Sequence, residues 1–293
     1  MLPTELAKQI RLLEIRTNRM VDEITGGAYR SVFKGRGIEF DEVREYTAED
    51  DVRDIDWHVS ARMGTPYIKK YVEERELTVM LLVDVSASGA FGSAEKNKRT
   101  TAAELAALLA FSAGRNGDKV GLMMFSDRIE LYVPPRSGRR HTLRLIREML
   151  AFKPRSGGTD IPMALHETAQ LMKKRGVVFL LSDLIAGEGF ERELKLLNRR
   201  HDVIALEVYD PVERSWPTGI PVEVEDAESG ETVTFSGGSR LVGALDAAFT
   251  AAAEAKRDIC RNARVDLVEI ASGGDVLRPV IDFFSRRRRR LAG

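Results

Sequence analysis

The apolar run from Leu77 to Val83 stops abruptly at Asp84, and Ser86 and Ser88 follow at alternate positions. A short, nearly continuous stretch of Val, Leu and Met bounded by polar residues marks a strand buried on both faces, as in the centre of a parallel α/β sheet. Such a strand hands over to a loop at its carboxyl end, and that edge of an open α/β sheet is where these folds hold ligands. One carboxylate and two hydroxyls at that edge suit a hard cation such as Mg²⁺, which takes oxygen ligands. The same residue types also cap ordinary helices, so the pattern gains weight only from matching pieces downstream.

Two such pieces occur. Ser156, Gly157, Gly158, Thr159 and Asp160 form a Gly-rich loop that runs into a helical stripe of Ile161, Leu165, Thr168 and Met172. Thr159 can present a hydroxyl at the sheet edge, while Asp160 is placed to cap the new helix. A second apolar strand, Val177 to Leu181, then ends in Ser182 and Asp183. The order of Asp84, Ser86 and Ser88, then Thr159, then a strand-end Asp183 resembles the metal-ion-dependent adhesion site of von Willebrand factor A domains. The resemblance implies that these five residues hold Mg²⁺ or Mn²⁺, the serines and the threonine as ligands and the aspartates directly or through water.

From Leu77 onward, strands alternate with helices. Helices are expected across 96–113, about 140–152 and 160–174, and strands at 120–125, 177–182 and 203–208. Residues 128–133 alternate apolar and polar, as an antiparallel edge strand does. The alternation predicts an α/β fold with a doubly wound, mostly parallel sheet. After Asp210 and Pro211, two short alternating stretches around 228–231 predict a β-hairpin, inserted at about 212–240. A long helix and the strand Val265 to Ile270 follow, returning to the sheet. The expected organisation is an N-terminal extension over 1–76, an A-like domain over 77–285 and a basic tail over 286–293. The extension opens with an amphipathic helix over about the first 25 residues and continues as loops and short strands packing on the later domain.

The chain has 293 residues, and its 45 basic and 45 acidic side chains cancel, which argues against a surface built to grip nucleic acid. Cys260 is the only cysteine, so no internal disulfide forms and a reducing cytoplasm is expected. No apolar run approaches the ~18 residues of a membrane-spanning helix, and Glu5, Lys8, Arg11 and Glu14 rule out a signal peptide. His58, His141, His166 and His201 are scattered, with no metal-ligand spacing, and are expected at the surface or at helix ends. The run Arg286 to Arg290 is expected to be solvated, although such a run also has the charge to touch an anionic membrane surface.

The segment from Gly35 through Arg44, Glu45 and Tyr46 to Asp50, Asp51, Arg53, Asp54, Ile55, Asp56 and Trp57 is distinctive. Together with the downstream strands and helices it resembles bacterial domain-of-unknown-function family fifty-eight, over about residues 10–285. The resemblance implies a von Willebrand A-like protein that works beside a MoxR-type AAA+ ATPase and links it to a client protein. Within the segment, Arg36, Arg44, Asp51, Arg53, Asp54 and Asp56 are expected to form an ion-pair network pinning it to the main domain. The competing expectation is a docking surface anchored by Tyr46 and Trp57.

The expected function is therefore recognition without catalysis. A cation held mainly by hydroxyls keeps water in its remaining positions, and an acidic side chain of a partner can replace one. A metal-dependent phosphoester hydrolase is the alternative, since Mg²⁺ also activates water. Against it, no second carboxylate lies near Asp84 in sequence and no nucleophile–base pair is evident. No Gly-x-x-x-x-Gly-Lys-[Ser/Thr] loop exists to cradle phosphates, so any ATP hydrolysis belongs to a partner. A purely structural or vacant metal site is the remaining alternative.

Overall fold

The computed structural model describes residues 10–12, 38–47, 50–73, 76–93, 96–185, 189–215, 222–225, 232–235 and 239–292. Ahead of the main sheet, β1 (Ile38–Glu45) and β2 (Tyr67–Glu73) pair antiparallel, with the short helix α1 (Trp57–Met63) between them. Residues 10–12 are helical; the rest of the expected N-terminal helix lies outside the described residues.

The main sheet is built from β3 (Thr78–Asp84), β4 (Lys119–Phe125), β5 (Ile129–Arg136), β6 (Val177–Ser182), β7 (Asp202–Tyr209) and, after the hairpin of β8 (Val222–Glu225) and β9 (Thr232–Phe235), β10 (Asp266–Ala271). Its order is β10-β7-β6-β3-β4-β5. All neighbours pair parallel except β5, which runs antiparallel along one edge. The α/β, doubly wound fold is thus the one the alternation predicts, with the hairpin and the returning last strand in place.

Helices cover both faces. One apolar layer joins Val79, Leu81 and Val83 to α2 (Lys98–Arg115), α3 (Arg139–Ala151) and α7 (Leu277–Ala292). The other joins Met80 and Leu82 to α4 (Ile161–Leu171), α5 (Phe190–Arg200) and α6 (Ser239–Ala263). Successive β3 side chains therefore enter different layers, the period-two rule of a strand covered on both sides. Full burial of each such Leu or Val stabilises by about 1.5–3 kcal/mol, so β3 cannot shift register without exposing both sets. Gly176 precedes β6 where a Cβ would come within 2.3 Å of the Thr78 carbonyl oxygen, so only glycine lets the chains approach there.

Arg286, Arg288, Arg289 and Arg290 are exposed, as expected of a solvated run, but the run is part of α7, where Arg287 is held by Asp202 (Nη2 to Oδ1, 2.6 Å) and Asp266 (3.3 Å). Arg290 also reaches Asp266 at 2.9 Å. The charge run is split by helical geometry, which turns one residue towards the strand starts at Asp202 and Asp266 while its neighbours face water. In the N-terminal segment, residues of the expected network make several local bonds. Arg44 forms a two-pronged pair with Asp50 (2.6 and 2.9 Å), Asp51 accepts from Arg53 N, and Asp56 caps α1 through His58 N and Val59 N. Arg36 lies outside the described residues. Trp57 is 67% exposed and anchors no core.

Candidate functional site

The chain reverses its direction of travel across the sheet between β3 and β6, whose parallel register runs to Val83 opposite Leu181. Strand ends diverge there, opening a crevice at the topological switch point. Asp84 stands at the end of β3, and Ser182 and Asp183 at the end of β6. Ser182 Oγ donates to Asp84 Oδ2 at 2.7 Å, while Ser86 N donates to Asp84 Oδ1 at 2.9 Å. Burial pushes the Asp84 carboxyl up to about 6, and the negative charge of Asp183 adds to the effect.

After Asp84 the chain makes a 3-10 turn over Ala87–Ala90, which brings Ser86 Oγ and Ser88 Oγ to 3.0 Å from one another. The Gly-rich loop abuts this turn, because Ala87 N donates to the Gly157 carbonyl at 2.9 Å. Asp160 caps α4 through Met163 N (2.8 Å), as its position predicts. Thr159 does not line the crevice between Asp84 and Asp183, but its Oγ1 is buried with no hydrogen-bond partner. Four of the five expected residues, Asp84, Ser86, Ser88 and Asp183, therefore share one cleft, and the fifth sits on the loop packed against it.

The Asp183 side chain accepts from Ile185 N at Oδ1 (3.1 Å). At Oδ2 it meets a residue that the sequence did not signal. Lys98, the first residue of α2, places Nζ 2.8 Å from Asp183 Oδ2 and 2.6 Å from Glu213 Oε1. Burial pulls the lysine's pKa down, but the charges of Asp183 and Glu213 outweigh it and hold the ammonium above its ordinary value. Arg99 braces the same loop from its Nη2, which donates to the carbonyls of Val85 (3.2 Å) and Ser86 (2.9 Å). Leu184, just past Asp183, adopts a left-handed φ of 54°, uncommon for a non-glycine residue. Its N–H is held by Ser182 Oγ at 3.0 Å, and Lys256 Nζ holds the Asp183 carbonyl at 2.7 Å.

The cleft has a volume of about 20 Å³, room for roughly one water-sized occupant. Among the described residues, no three His, Cys, Asp or Glu side chains form a metal-binding group. A donor set of hydroxyls with two carboxylates is hard and oxygen-only, which suits Mg²⁺ or Mn²⁺ over softer ions. The partnerless Thr159 hydroxyl fits the same set. The histidines stay out of it: His58 and His166 are exposed, His141 Nε2 lies 2.8 Å from the Val120 carbonyl, and His201 ends α5 fully buried.

A six-stranded sheet in this order, with one antiparallel edge and helices on both faces, defines a doubly wound α/β protein with polar strand ends at its switch point. The chain belongs to the family described as protein of unknown function DUF58, whose model matches residues 42–258. Uncharacterized proteins of Mycobacterium tuberculosis and Mycobacterium bovis are each 33% identical over 296 residues, covering 99% of this chain and 92% of the relative. Among solved structures, the conserved hypothetical protein BatB of Bacteroides thetaiotaomicron aligns with 73% of this chain and 99% of its own, at 15% identity and a TM-score of 0.47. The SpRpn10 VWA domain aligns with 70% of this chain and 94% of its own, at 12% identity and a TM-score of 0.39. Among the described residues no helix is long and apolar enough to cross a membrane.

Proposed function

We propose that this chain is a non-enzymatic interaction module that captures a Glu or Asp side chain of a partner protein through a divalent cation, Mg²⁺ or Mn²⁺. The observation that carries the reading is the Thr159 hydroxyl, buried without a hydrogen-bond partner on the loop that abuts Ser86 and Ser88. A buried polar group left unpaired costs about 1–3 kcal/mol, and ligation removes that cost. Ser86, Ser88 and Thr159 are the direct ligands in this reading, and Asp84 and Asp183 hold the ion directly or through water. The bound ion supplies an open coordination position that a partner carboxylate fills in place of water. Phe91 and Ile185, 37% and 53% exposed, follow closely on the two site loops and offer apolar surface to residues flanking that carboxylate.

The cleft also argues against the hydrolase alternative. Substrate pockets run to about 300–1,000 Å³, far above this volume. Of the serines lining the cleft, Ser86 and Ser88 bond one another and Ser182 is engaged by Asp84 and Leu184 N as a bridge between strand ends, while Lys98 is taken up by two carboxylates. The partner we assign, on the family resemblance and not on geometry, is a MoxR-type AAA+ ATPase in the cytoplasm, which the module links to a client protein. A pull-down with the tagged full chain, in Mg²⁺ and in EDTA, tests both parts. The expected result is an AAA+ ATPase recovered in Mg²⁺ and lost in EDTA or with Asp84→Ala. Equal recovery under all three conditions moves the contact off the cation site, and recovery of no ATPase overturns the adaptor assignment.

A further inference from the structure

Within the cleft, the charged side chain bonded directly to Asp183 that the five-residue pattern does not include is Lys98. We propose that Lys98 is a tethered competitor for the divalent cation: its ammonium occupies Asp183 in the arrangement seen here, and cation binding drives it wholly onto Glu213. The inference rests on the cation-capture reading above and concerns how that same site is regulated.

Three observations carry it. First, Lys98 lines the cleft together with Asp84, Ser86, Ser88 and Asp183. Its side chain is 4% exposed, and Nζ lies within 2.8 Å of the carboxylate an incoming ion would use. Two cations this close repel strongly where little water screens them, so the ion and the ammonium cannot both take full benefit from Asp183.

Second, the ammonium has somewhere to go without being stripped of its charge partner. Glu213 Oε1 already accepts from Lys98 at 2.6 Å. A buried ammonium deprived of every carboxylate would be costly, and this second seat removes that obstacle to the exchange.

Third, Glu213 is fixed independently of Lys98. Its other oxygen accepts the Asp210 N–H at 2.9 Å, in a capping box that closes the turn Pro211–Glu213. Asp210 is itself fully buried and bound by Ser93 and Ser272. The seat therefore stays in place when Lys98 releases Asp183. Arg99 lines the same cleft, with its Nη2 held by the Val85 and Ser86 carbonyls.

The consequence is a site tuned to release its ion. The lysine keeps affinity for the bare cation low, and a partner carboxylate returns negative charge to the cleft once the ion is in. Ion and partner then bind more tightly together than either does alone.

The test is Mn²⁺ binding to the full chain, read from the electron paramagnetic resonance signal of the free ion, with folding verified by circular dichroism. Wild type, Lys98→Met, Glu213→Gln and the double variant form a cycle. Lys98→Met is expected to tighten Mn²⁺ binding by roughly tenfold, since repulsion is gone and Asp183 needs a new counter-charge. Glu213→Gln is expected to weaken binding by about threefold in the wild-type background and by less than about twofold beside Lys98→Met, because the seat matters only when there is a lysine to sit in it. Unchanged or weaker binding by Lys98→Met overturns the proposal, as does an equal effect of Glu213→Gln in both backgrounds, which would mark plain long-range charge. Should Lys98→Met not fold, unchanged affinity in Glu213→Gln alone suffices to overturn it. Absence of Mn²⁺ binding in every variant instead removes the cation-capture reading itself.

Discussion

Ser182 Oγ donates a 2.7 Å hydrogen bond to Asp84 Oδ2 across the switch point, joining the ends of two strands that lie 98 residues apart. The same hydroxyl accepts from Leu184 N, so a single oxygen sets both the Asp84 carboxylate and the left-handed turn that follows Asp183. Ser182→Ala removes both bonds in a buried setting and leaves one donor and one carboxylate oxygen short of a partner. A loss of about 2–3 kcal/mol is expected, read as a lower urea midpoint with unchanged m-value in EDTA. A variant as stable as wild type would mean that the strand ends hold without this bridge.

Asp210 plays the corresponding part at the end of β7. It accepts from Ser93 N (2.9 Å), Val212 N (3.1 Å) and Ser272 Oγ (2.8 Å), and also from Ser93 Oγ, so it ties the segment after the serine turn to the opposite half of the sheet. Burial pushes its carboxyl up, but the hydrogen bonds from Ser93, Ser272 and Val212 together outweigh burial and hold it below the ordinary range. With the folded pKa below the unfolded one, the stabilisation is fully present above about pH 4, the unfolded value, and is lost as pH falls through the folded value. Asp210→Asn is expected to cost about 2–4 kcal/mol at pH 7 and to flatten the acid limb of the stability profile. Parallel acid limbs in thermal melts of the two proteins would contradict this.

Much of the fold was legible because strands buried on both faces leave continuous apolar runs, and the site residues stand where Leu77 to Val83 and Val177 to Leu181 stop. Lys98 and Glu213 were not legible. A lysine opening a helix resembles any solvated residue, and the 115 positions separating it from Glu213 close only through the sheet. Ser182 was visible in the sequence beside Asp183, but nothing local indicated that its hydroxyl would serve Asp84. Asp51 and Asp56 each accept from a backbone N–H two residues on, the local bond that Asp makes most readily and one that a search for ion pairs passes over. Their neighbour Trp57 carries an apolar ring into water, which leaves the docking expectation for that segment standing and the pinning one without support from this residue.

The run Arg286 to Arg290 shows the limit of composition most directly. Arg287 is 14% exposed, bonded to Asp202 and Asp266 and 5.8 Å from the Phe283 ring centroid. Removing the guanidinium leaves two carboxylates at the strand starts without this partner and strips packing from the ring. Arg287→Ala is expected to lose about 2 kcal/mol, a Tm lower by roughly 5 °C for a chain of this size, whereas Arg288→Ala stays within about 0.5 kcal/mol. Equal melting temperatures for the two variants would mean that Arg287 contributes no more than its exposed neighbours.

Thr159 gives the sharpest separation between a residue kept for the fold and one kept for a ligand. Its Oγ1 is buried and makes no hydrogen bond, so in EDTA the hydroxyl contributes only a desolvation cost. Thr159→Val keeps the branched shape and deletes that oxygen, and the expected outcome in EDTA is a protein as stable as wild type or more stable by up to about 1 kcal/mol. In Mg²⁺ the order reverses. Wild type gains stability in proportion to RT ln(1 + [Mg²⁺]/Kd), while the variant, one ligand short, gains less at every concentration. Melting curves of both proteins across a Mg²⁺ titration therefore cross if Thr159 is a ligand. They stay parallel if its hydroxyl faces the loop for some other reason, and in that case the ligand set shrinks to the four residues around the cleft.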